Sequence, residues 1–295
     1  MKVNISLASS ILGFSRQAYY KPRSTSELGT EHLEDQLKFW VAKGREICPG
    51  QGCRSIYYDY ADKLSIGRDK AELIMGNLGL NIRKPSKYVR TTESGKRLFD
   101  NILTERVLTG LNQVWQGDMT YYIHGPNTFY IILITDVYSQ YIVGAGAYDR
   151  AFSCYFEEVL LQAINERLIA GYQLDDLIHH SDGGKQYEAK DYLGLCERHG
   201  IRQSMGRYSW ENPYAEKTND LIKNRYLTYW KPSSLTELRK CLKQAVKNHN
   251  SFQTKEVLNN LAPLDFEKTC FKNDQAYSPY QLELRPTQPM TKNVS

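Results

Sequence analysis

The order of apolar patterns between residues 113 and 250 constrains the fold more than any other feature of the sequence. Three runs rich in β-branched and aromatic residues come first, separated by short turns, as expected for adjacent strands. An amphipathic helical pattern follows, and short apolar strands then alternate with further helices. This order predicts a mixed α/β sheet of five strands with flanking helices. The predicted strands are 119–124, 129–138, 141–147, 177–180 and 201–205, and the predicted helices are 152–169, 189–198, 213–229 and 235–248.

The first 80 residues carry helical patterns and no strand pattern. Two of these helices, at 54–64 and 68–78, flank a turn at 65–67 and resemble a helix-turn-helix. A fragment at 6–20 has similar spacing, and a further helix is predicted at 27–42. We therefore predict an all-α, helix-turn-helix-type DNA-binding region over residues 1–80. An ordinary helical hairpin would produce the same pattern.

Positive charge is concentrated in the front half of the chain. Residues 1–112 contain 18 Lys and Arg against 12 Asp and Glu, whereas residues 113–295 contain 20 against 21. A basic front half suggests a segment that grips a polyanion, but a solvated basic surface without a partner explains the charge equally well. We interpret residues 81–111 as a basic linker that lies along a phosphate backbone. Its candidate DNA contacts are Arg83, Lys84, Lys87 and Arg90.

Composition excludes several classes of protein. The longest apolar run, residues 130–134, is far too short to span a membrane, and the N-terminus lacks the apolar segment typical of a secretory signal. The six cysteines include no CxxC pair, which argues against a zinc ribbon. We expect a reduced, cytoplasmic protein without a membrane partner. Residues 271–295, rich in Asn, Gln, Pro and Ser, are predicted to form a flexible tail.

Three acidic residues stand where predicted elements begin or end. Asp118 precedes the first strand pattern, Asp182 follows the strand at 177–180, and Glu216 lies on the helix that begins at Pro213. Taken singly, each has a structural explanation as a turn residue, a loop cap or a favourable first-turn charge. Clustered carboxylates, however, repel one another unless a cation is present. Oxygen-only ligands with vacant positions suit Mg²⁺, and two such ions about 3.5–4 Å apart support phosphodiester chemistry.

These acids belong to a series of short motifs whose shared order and spacing are highly specific. From about residue 1 to residue 267, the chain resembles the catalytic reading frame (OrfB) of bacterial insertion-sequence transposases with a retroviral-integrase-like core. The matching stretches are Asn112-Gln113-Val114-Trp115 through Asp118-Met119-Thr120-Tyr121, Asp136-Val137-Tyr138-Ser139 with Ile142-Val143-Gly144, His180-Ser181-Asp182-Gly183-Gly184-Lys185-Gln186-Tyr187, Gln203-Ser204-Met205, Glu211-Asn212-Pro213-Tyr214-Ala215-Glu216, and His249-Asn250 through Leu258 to Leu261-Ala262-Pro263.

The resemblance implies an RNase H-like fold and a DDE catalytic triad. Carried onto this sequence, the triad is Asp118, Asp182 and Glu216, which would serve as both catalytic and metal-binding residues. Two Mg²⁺ ions are expected in the active state, with Mn²⁺ as a substitute. The predicted catalytic domain, with its C-terminal helix, spans residues 112–270.

The chain departs from the family pattern at several positions. Gln140 stands where the family usually has Arg, and Gln253 and Lys255 replace the usual Arg and His. The 33 residues between Asp182 and Glu216 are slightly fewer than in most relatives. These departures affect the expected C-terminal contacts and leave the triad intact.

Four further residues are candidates for DNA contact or for support of the triad. Lys223 lies two helical turns after Glu216, where the family has a basic residue and where a cation could hold a phosphodiester. A solvated helical lysine is an equally good explanation. Asn212 and Asn219 flank the same helix and are candidate DNA contacts. His180 is a candidate second-layer residue behind Asp182, or else a structural histidine.

The resemblance implies a DNA transposase that cleaves element ends and then joins the freed 3′-OH to target DNA. Two alternatives stay open: a structure-selective nuclease that never joins strands, and an inactive DNA-binding regulator. The implied partners are double-stranded DNA at element ends and target, further copies of the chain on DNA, and an upstream-frame (OrfA-type) protein. The implied location is the bacterial cytoplasm, in association with the nucleoid.

Overall fold

The computed structural model describes residues 23–82, 97–271 and 280–284, and the chain divides into two compact units. The first unit includes residues 23–44 and 52–82, and the second includes 45–51 and the described residues from 97 onward. The predicted helical fragment at 6–20 lies outside the described residues. Four predicted DNA contacts lie outside them as well, namely Arg83, Lys84, Lys87 and Arg90.

The first unit is helical, as predicted. A buried apolar group holds its helices together and includes Leu37, Val41, Ile56 and Met75. The helix-turn-helix assignment and its role in DNA binding stay predictions. The helices are α1 (Arg23–Ile47), α2 (Cys53–Asp59) and α3 (Arg68–Asn77), with a 3₁₀ turn at Ala61–Lys63 between the last two.

The second unit contains the predicted mixed sheet of five strands. Its strand order is β4-β3-β2-β5-β6, with β2, β3 and β4 antiparallel and with β5 and β6 parallel to β2. This mixed sheet with helices on both faces is the RNase H-like arrangement, so the predicted fold class is confirmed. The strands are β2 (Val114–His124), β3 (Asn127–Asp136), β4 (Ile142–Tyr148), β5 (Ile178–Asp182) and β6 (Arg202–Gly206).

Helices cover both faces of this sheet. The helix predicted at 213–229 is interrupted, because an α-helix gives way to a π-helical segment at Lys223. No helix in the three described stretches is long and apolar enough to cross a membrane. The helices are α4 (Ser153–Ile169), α5 (Lys190–Arg198), α6 (Pro213–Ile222), the π-helical segment Lys223–Leu227, the single turn Thr228–Trp230, α7 (Leu235–Phe252) and α8 (Pro263–Phe271), with 3₁₀ turns at Lys185–Glu188, Ser209–Glu211 and Glu256–Leu258.

Strand β3 contributes to the core on both faces because alternate side chains point in opposite directions. Ile132 and Ile134 pack in one cluster with residues of α4 and α5, such as Phe156. Ile131 and Leu133 pack in the opposite cluster with residues of α6 and α7. The near-continuous apolar run of this strand therefore reflects burial on both sides.

Parts of the predicted linker and tail are ordered against the second unit. Strand β1 (Val107–Leu108) pairs with β7 (Leu282–Glu283), so the linker predicted at 81–111 contributes a strand. Tyr280 stacks on Tyr138 at 4.7 Å, and each tyrosine hydroxyl donates to the backbone carbonyl of the other. Tyr280, Leu282 and Leu284, within the tail predicted at 271–295, pack on the core of the second unit. The flexibility of this tail stays a prediction.

A buried ionic network joins α4, α8 and the turn that connects β3 to β4. The guanidinium of Arg167 makes two hydrogen bonds of 2.6 Å to the carboxylate of Glu267. The hydroxyl of Ser139 lies 2.6 Å from a carboxylate oxygen of Glu267 and 3.0 Å from one of Asp136, so its single proton is donated to one of these two acids at a time. Burial raises the pKa of Asp136 to about 6, with the charge of Glu267 adding to the rise. Asp136 thus has the role of a structural turn acid.

Two positions that depart from the family pattern contact each other. Gln140 lies in the turn between β3 and β4 with a left-handed backbone, at φ 55°. Its side-chain oxygen accepts a 2.8 Å hydrogen bond from Lys255, and its backbone carbonyl accepts one of 3.0 Å from His249. The C-terminal segment after α7 is therefore anchored to this turn through Gln140.

Candidate active site

Asp118 and Asp182 occupy neighbouring positions on adjacent parallel strands. The register of β2 and β5 pairs Gly117 with Ser181, so the next residue on each strand is one of the two acids. Adjacent strands lie roughly 4.8 Å apart, and side chains at paired positions leave the same face of the sheet. Asp118 was expected to precede its strand, but it lies inside β2, which begins at Val114.

Helix α6, which carries Glu216, is held against β2 by hydrogen bonds that three consecutive residues of the strand accept. The side-chain oxygen of Gln116 accepts from the backbone N–H of Tyr214 at 2.9 Å and more weakly from that of Ala215 at 3.4 Å. The carbonyl of Gly117 accepts from Asn212 at 3.0 Å, and Oδ2 of Asp118 accepts from Asn219 at 2.9 Å. The start of α6 is therefore held against the strand that carries Asp118.

The local sequence explains why the strand can make these contacts. Gln116 and Asp118 alternate along β2, so both side chains face α6, whereas Gly117 faces the other side. A β-carbon at Gly117 would lie 2.9 Å from Nε2 of His179, so only glycine allows the histidine ring to pack there. Pro213 occupies the first turn of α6, where a missing N–H costs nothing.

The electrostatics of the site centre on Asp118. Burial, together with the negative charges of Asp182 and Glu216, raises the pKa of Asp118 to about 7, although the hydrogen bond from Asn219 opposes the rise. Asp182 reaches solvent, yet the protein around it still raises its pKa by desolvation. Glu216 is exposed. Asp118 therefore interacts electrostatically with both other acids across an open face of the protein.

The donor chemistry of this face suits a hard divalent cation, because it offers carboxylate oxygens whose charges repel when no cation is present. In the part of the chain that the structure describes, no group of three His, Cys, Asp or Glu side chains is already assembled closely enough to hold a metal ion. Binding of a shared ion would therefore require the carboxylates to turn toward it.

The raised pKa of Asp118 predicts a pH dependence of stability without metal. Between its ordinary pKa of 3.8 and its folded pKa of about 7, the folded protein binds more protons at this carboxyl than the unfolded chain does. Stability is therefore expected to fall as pH rises through this window, by up to about 1.4 kcal/mol per pH unit for one proton. Mg²⁺ favours the ionised carboxylate and is expected to flatten the fall.

The test is urea unfolding of the parent and of Asp118→Asn between these pH values, with EDTA or Mg²⁺. The difference between the two proteins isolates Asp118 from the other groups that titrate, such as Asp136. Parallel profiles in EDTA would mean that Asp118 does not titrate in this window.

Gln116 is predicted to be a major determinant of the position of α6. Gln116→Leu removes the acceptor for two backbone N–H groups and is expected to lower the free energy of unfolding by roughly 1–3 kcal/mol. The matched control is Gln162→Leu, because Gln162 is exposed and donates to Glu166, one turn along α4. That control is expected to cost about 0.2–0.5 kcal/mol. Equal losses, measured by urea unfolding, would contradict the assignment.

The other predicted site residues lie in different surroundings. Asn212 and Asn219, which were predicted to contact DNA, are both buried and donate to β2, so they hold α6 against this strand. Their contact with DNA stays a prediction. His180 is buried on β5, two residues before Asp182, and its Nδ1 lies 2.8 Å from the Ser204 hydroxyl. Burial lowers the pKa of His180 to about 4, so its ring is neutral at pH 7.

Lys223 stands where α6 changes into the π-helical segment. It is partly buried, and its contact with DNA stays a prediction. Segments of this kind are frequent at functional sites. Gln116 was not among the predicted site residues, although a polar residue two positions before Asp118 in a strand was a usable signal.

Comparison with known proteins supports the resemblance found in the motifs. Residues 109–209 match the family described as Integrase core domain. The chain is 28% identical over 270 residues to the insertion element IS600 uncharacterized 31 kDa protein of Shigella sonnei, covering 88% of this chain and 96% of that protein. It is 26% identical over 266 residues to a putative transposase for insertion sequence element IS986/IS6110 of Mycobacterium tuberculosis, covering 87% and 96%.

A solved structure with a similar chain path is the HTLV-2 integrase catalytic core domain in complex with magnesium. Its identity to this chain is 19% and its TM-score is 0.43, with coverage of 58% of this chain and 99% of that one. The family match includes Asp118 and Asp182 and ends before Glu216. The predicted resemblance to an insertion-sequence transposase with an integrase-like core is confirmed by the family match and by the two bacterial relatives.

Proposed function

We propose that this protein, an insertion-sequence transposase by its integrase core and its relatives, cleaves DNA at element ends and joins the freed ends to target DNA. The reaction would depend on a divalent metal ion and would take place on bacterial DNA in the cytoplasm. Its catalytic residues would be Asp118, Asp182 and Glu216.

One observation carries this proposal. Asp118 and Asp182 are side by side on parallel strands, and the helix bearing Glu216 is bonded to the same stretch of β2. Three acids that interact through their charges on an exposed face are costly to a protein that does not use them. An extended, negatively charged substrate such as DNA could reach this face together with a cation.

Asp118, Asp182 and Glu216 would hold two Mg²⁺ ions, or Mn²⁺ in their place, which would supply positive charge to the phosphodiester and a lowered pKa to the attacking oxygen. Asn219 would keep Oδ2 of Asp118 in a fixed orientation through its 2.9 Å hydrogen bond. His180, neutral behind Asp182, would support β5 without adding charge. Lys223 would contact a phosphate of the bound strand.

The reaction would consist of two successive displacements at phosphorus. Water attacks the phosphodiester at the element end, the 3′-oxygen leaves and takes up a proton, and a 3′-OH and a 5′-phosphate result. That 3′-OH then attacks a phosphodiester of the target, whose own 3′-oxygen leaves as a hydroxyl. In this reaction the protein forms no covalent bond to DNA, and the three acids serve as acceptor oxygens for the metal ions.

The discriminating experiment supplies a DNA duplex that mimics a pre-cut element end, together with a target plasmid and Mg²⁺. A transposase converts the target into a joined product of higher mass, which is detected on a denaturing gel. The matched control is a DNA end that terminates in a 2′,3′-dideoxynucleotide, because it lacks the attacking 3′-hydroxyl. Hydrolysis without joining would identify a nuclease, and binding without any metal-dependent cleavage would identify a regulator.

A further inference from the structure

A second group of like charges lies on the second unit and begins on α6, the helix that carries Glu216. It consists of Lys217 on α6, Arg225 in the π-helical segment and Lys255 after α7. Nζ of Lys255 donates to the side-chain oxygen of Gln140 at 2.8 Å, and Nη1 of Arg225 lies 3.5 Å from that of Gln253. Both partners are neutral amides, so neither cation is neutralised by these contacts.

The three cations are close enough for their charges to interact. Burial, together with the charges of Lys217 and Arg225, lowers the pKa of Lys255 to about 7. None of the ion pairs formed among residues 31–82, 97–271 and 280–284 includes any of the three.

The buried histidine His249 lies beside the same group. Its Nε2 donates to the backbone carbonyl of Gln140, and its Nδ1 has no hydrogen-bond partner within the described part of the chain. Burial and the charges of Lys255, Arg225 and Lys217 hold the pKa of His249 well below its usual range. The ring therefore stays neutral and does not add a fourth charge.

Gathering three cations without an acid costs free energy in the free protein, and a bound anion would remove that cost. Arg and Lys together suit phosphate, since Arg offers a planar fork of donors and Lys a compact charge. Lys217 immediately follows Glu216, so it projects about 100° around the helix from that acid. The group thus begins on the helix face adjoining the three acids.

We propose that Lys217, Arg225 and Lys255, which we call the basic cluster, bind backbone phosphates of the DNA that lies across the three acids. The inference rests on the proposed function for the identity of the ligand, while the phosphate chemistry follows from the cluster itself. Its role is to position DNA, and it takes no part in bond breaking.

The experiment measures DNA affinity of the full chain in EDTA, so that cleavage does not enter. The variant Lys217→Gln/Arg225→Gln removes the more accessible charges and leaves Lys255 to keep its contact with Gln140. It is expected to bind a fluorescent duplex about tenfold more weakly, with the slope of log K against log salt reduced by about 0.9 for each phosphate that the variant no longer neutralises. The control is Lys243→Gln/Lys247→Gln, which removes two exposed charges of α7 and is expected to keep the parent's slope.

A second arm uses inorganic phosphate, matched in ionic strength with chloride, and follows the melting temperature. Phosphate is expected to raise this temperature for the parent and for the control, but not for the cluster variant. Equal loss of DNA affinity in both double variants would overturn the proposal in favour of diffuse charge attraction. A phosphate effect with unchanged DNA affinity would overturn DNA as the ligand. If the parent fails to join ends but its DNA affinity depends on the cluster, the proposed function falls and the cluster stands.

Discussion

Asp182→Asn is expected to abolish DNA cleavage and strand joining while DNA affinity stays near that of the parent. The substitution keeps the size of the side chain and removes the negative charge next to Asp118 on the paired strand. A metal site contributes several kcal/mol of charge stabilisation in the transition state. Because about 1.4 kcal/mol corresponds to a factor of ten, the loss should be at least roughly a thousandfold in rate.

The assay follows the joined product and the nicked product on a denaturing gel, with anisotropy for DNA affinity. Asp175→Asn is the matched control, since Asp175 is an exposed acid of the loop before β5 and undergoes the same chemical change. It is expected to retain full activity. Full activity of Asp182→Asn would remove Asp182 from the mechanism, and equal loss in both variants would point to a general effect of charge.

Arg167→Met is expected to lower the free energy of unfolding by about 3–5 kcal/mol, because it leaves the carboxylate of Glu267 buried without its cation. The side chains of Arg167 and Glu267 are only 6% and 1% exposed. Arg167 also stacks between Tyr141 and Tyr172, at 4.6 and 4.4 Å from the ring centres, so its removal disturbs packing as well. Urea unfolding with a fitted slope gives the change.

Helix α8 supplies the control for this prediction. Lys268 and Asp265 form a pair at 2.8 Å whose side chains are 58% and 51% exposed. Lys268→Met is expected to change stability by less than about 1 kcal/mol, because exposed ion pairs contribute little. A small loss in Arg167→Met would show that Glu267 takes up a proton or finds water when the guanidinium is absent.

The order of elements could be predicted from the sequence because it depends on local periodicity. The apolar run of β3 and the amphipathic pattern of α4 each carry a period that is legible in a short window. Element ends were less accurate where polar residues stand inside a strand. Strand β2 begins at Val114, five residues before its predicted start. The polar residues Gln116 and Asp118 and the glycine between them interrupt the apolar pattern that was used to place the strand.

Contacts between distant segments could not be predicted in this way. The pairing of β1 with β7 joins residues near 107 and 283, and neither dipeptide has a periodic signal of its own. The burial of Asn212 and Asn219 depends on where α6 packs, which no local pattern specifies. The acids themselves were found through motif order, whereas the side chains that orient them became visible only in three dimensions.

The bonds between β2 and the start of α6 also bear on how such a chain can change during evolution. The contacts of Gln116 and Asn212 with the start of α6 help to position Glu216 independently of the turns that precede the helix. Deletions or additions in the partly exposed turn at residues 199–200, between α5 and β6, should therefore be tolerated as long as those two contacts persist. The 33-residue interval of this chain, shorter than the family's usual one, is an instance of that freedom.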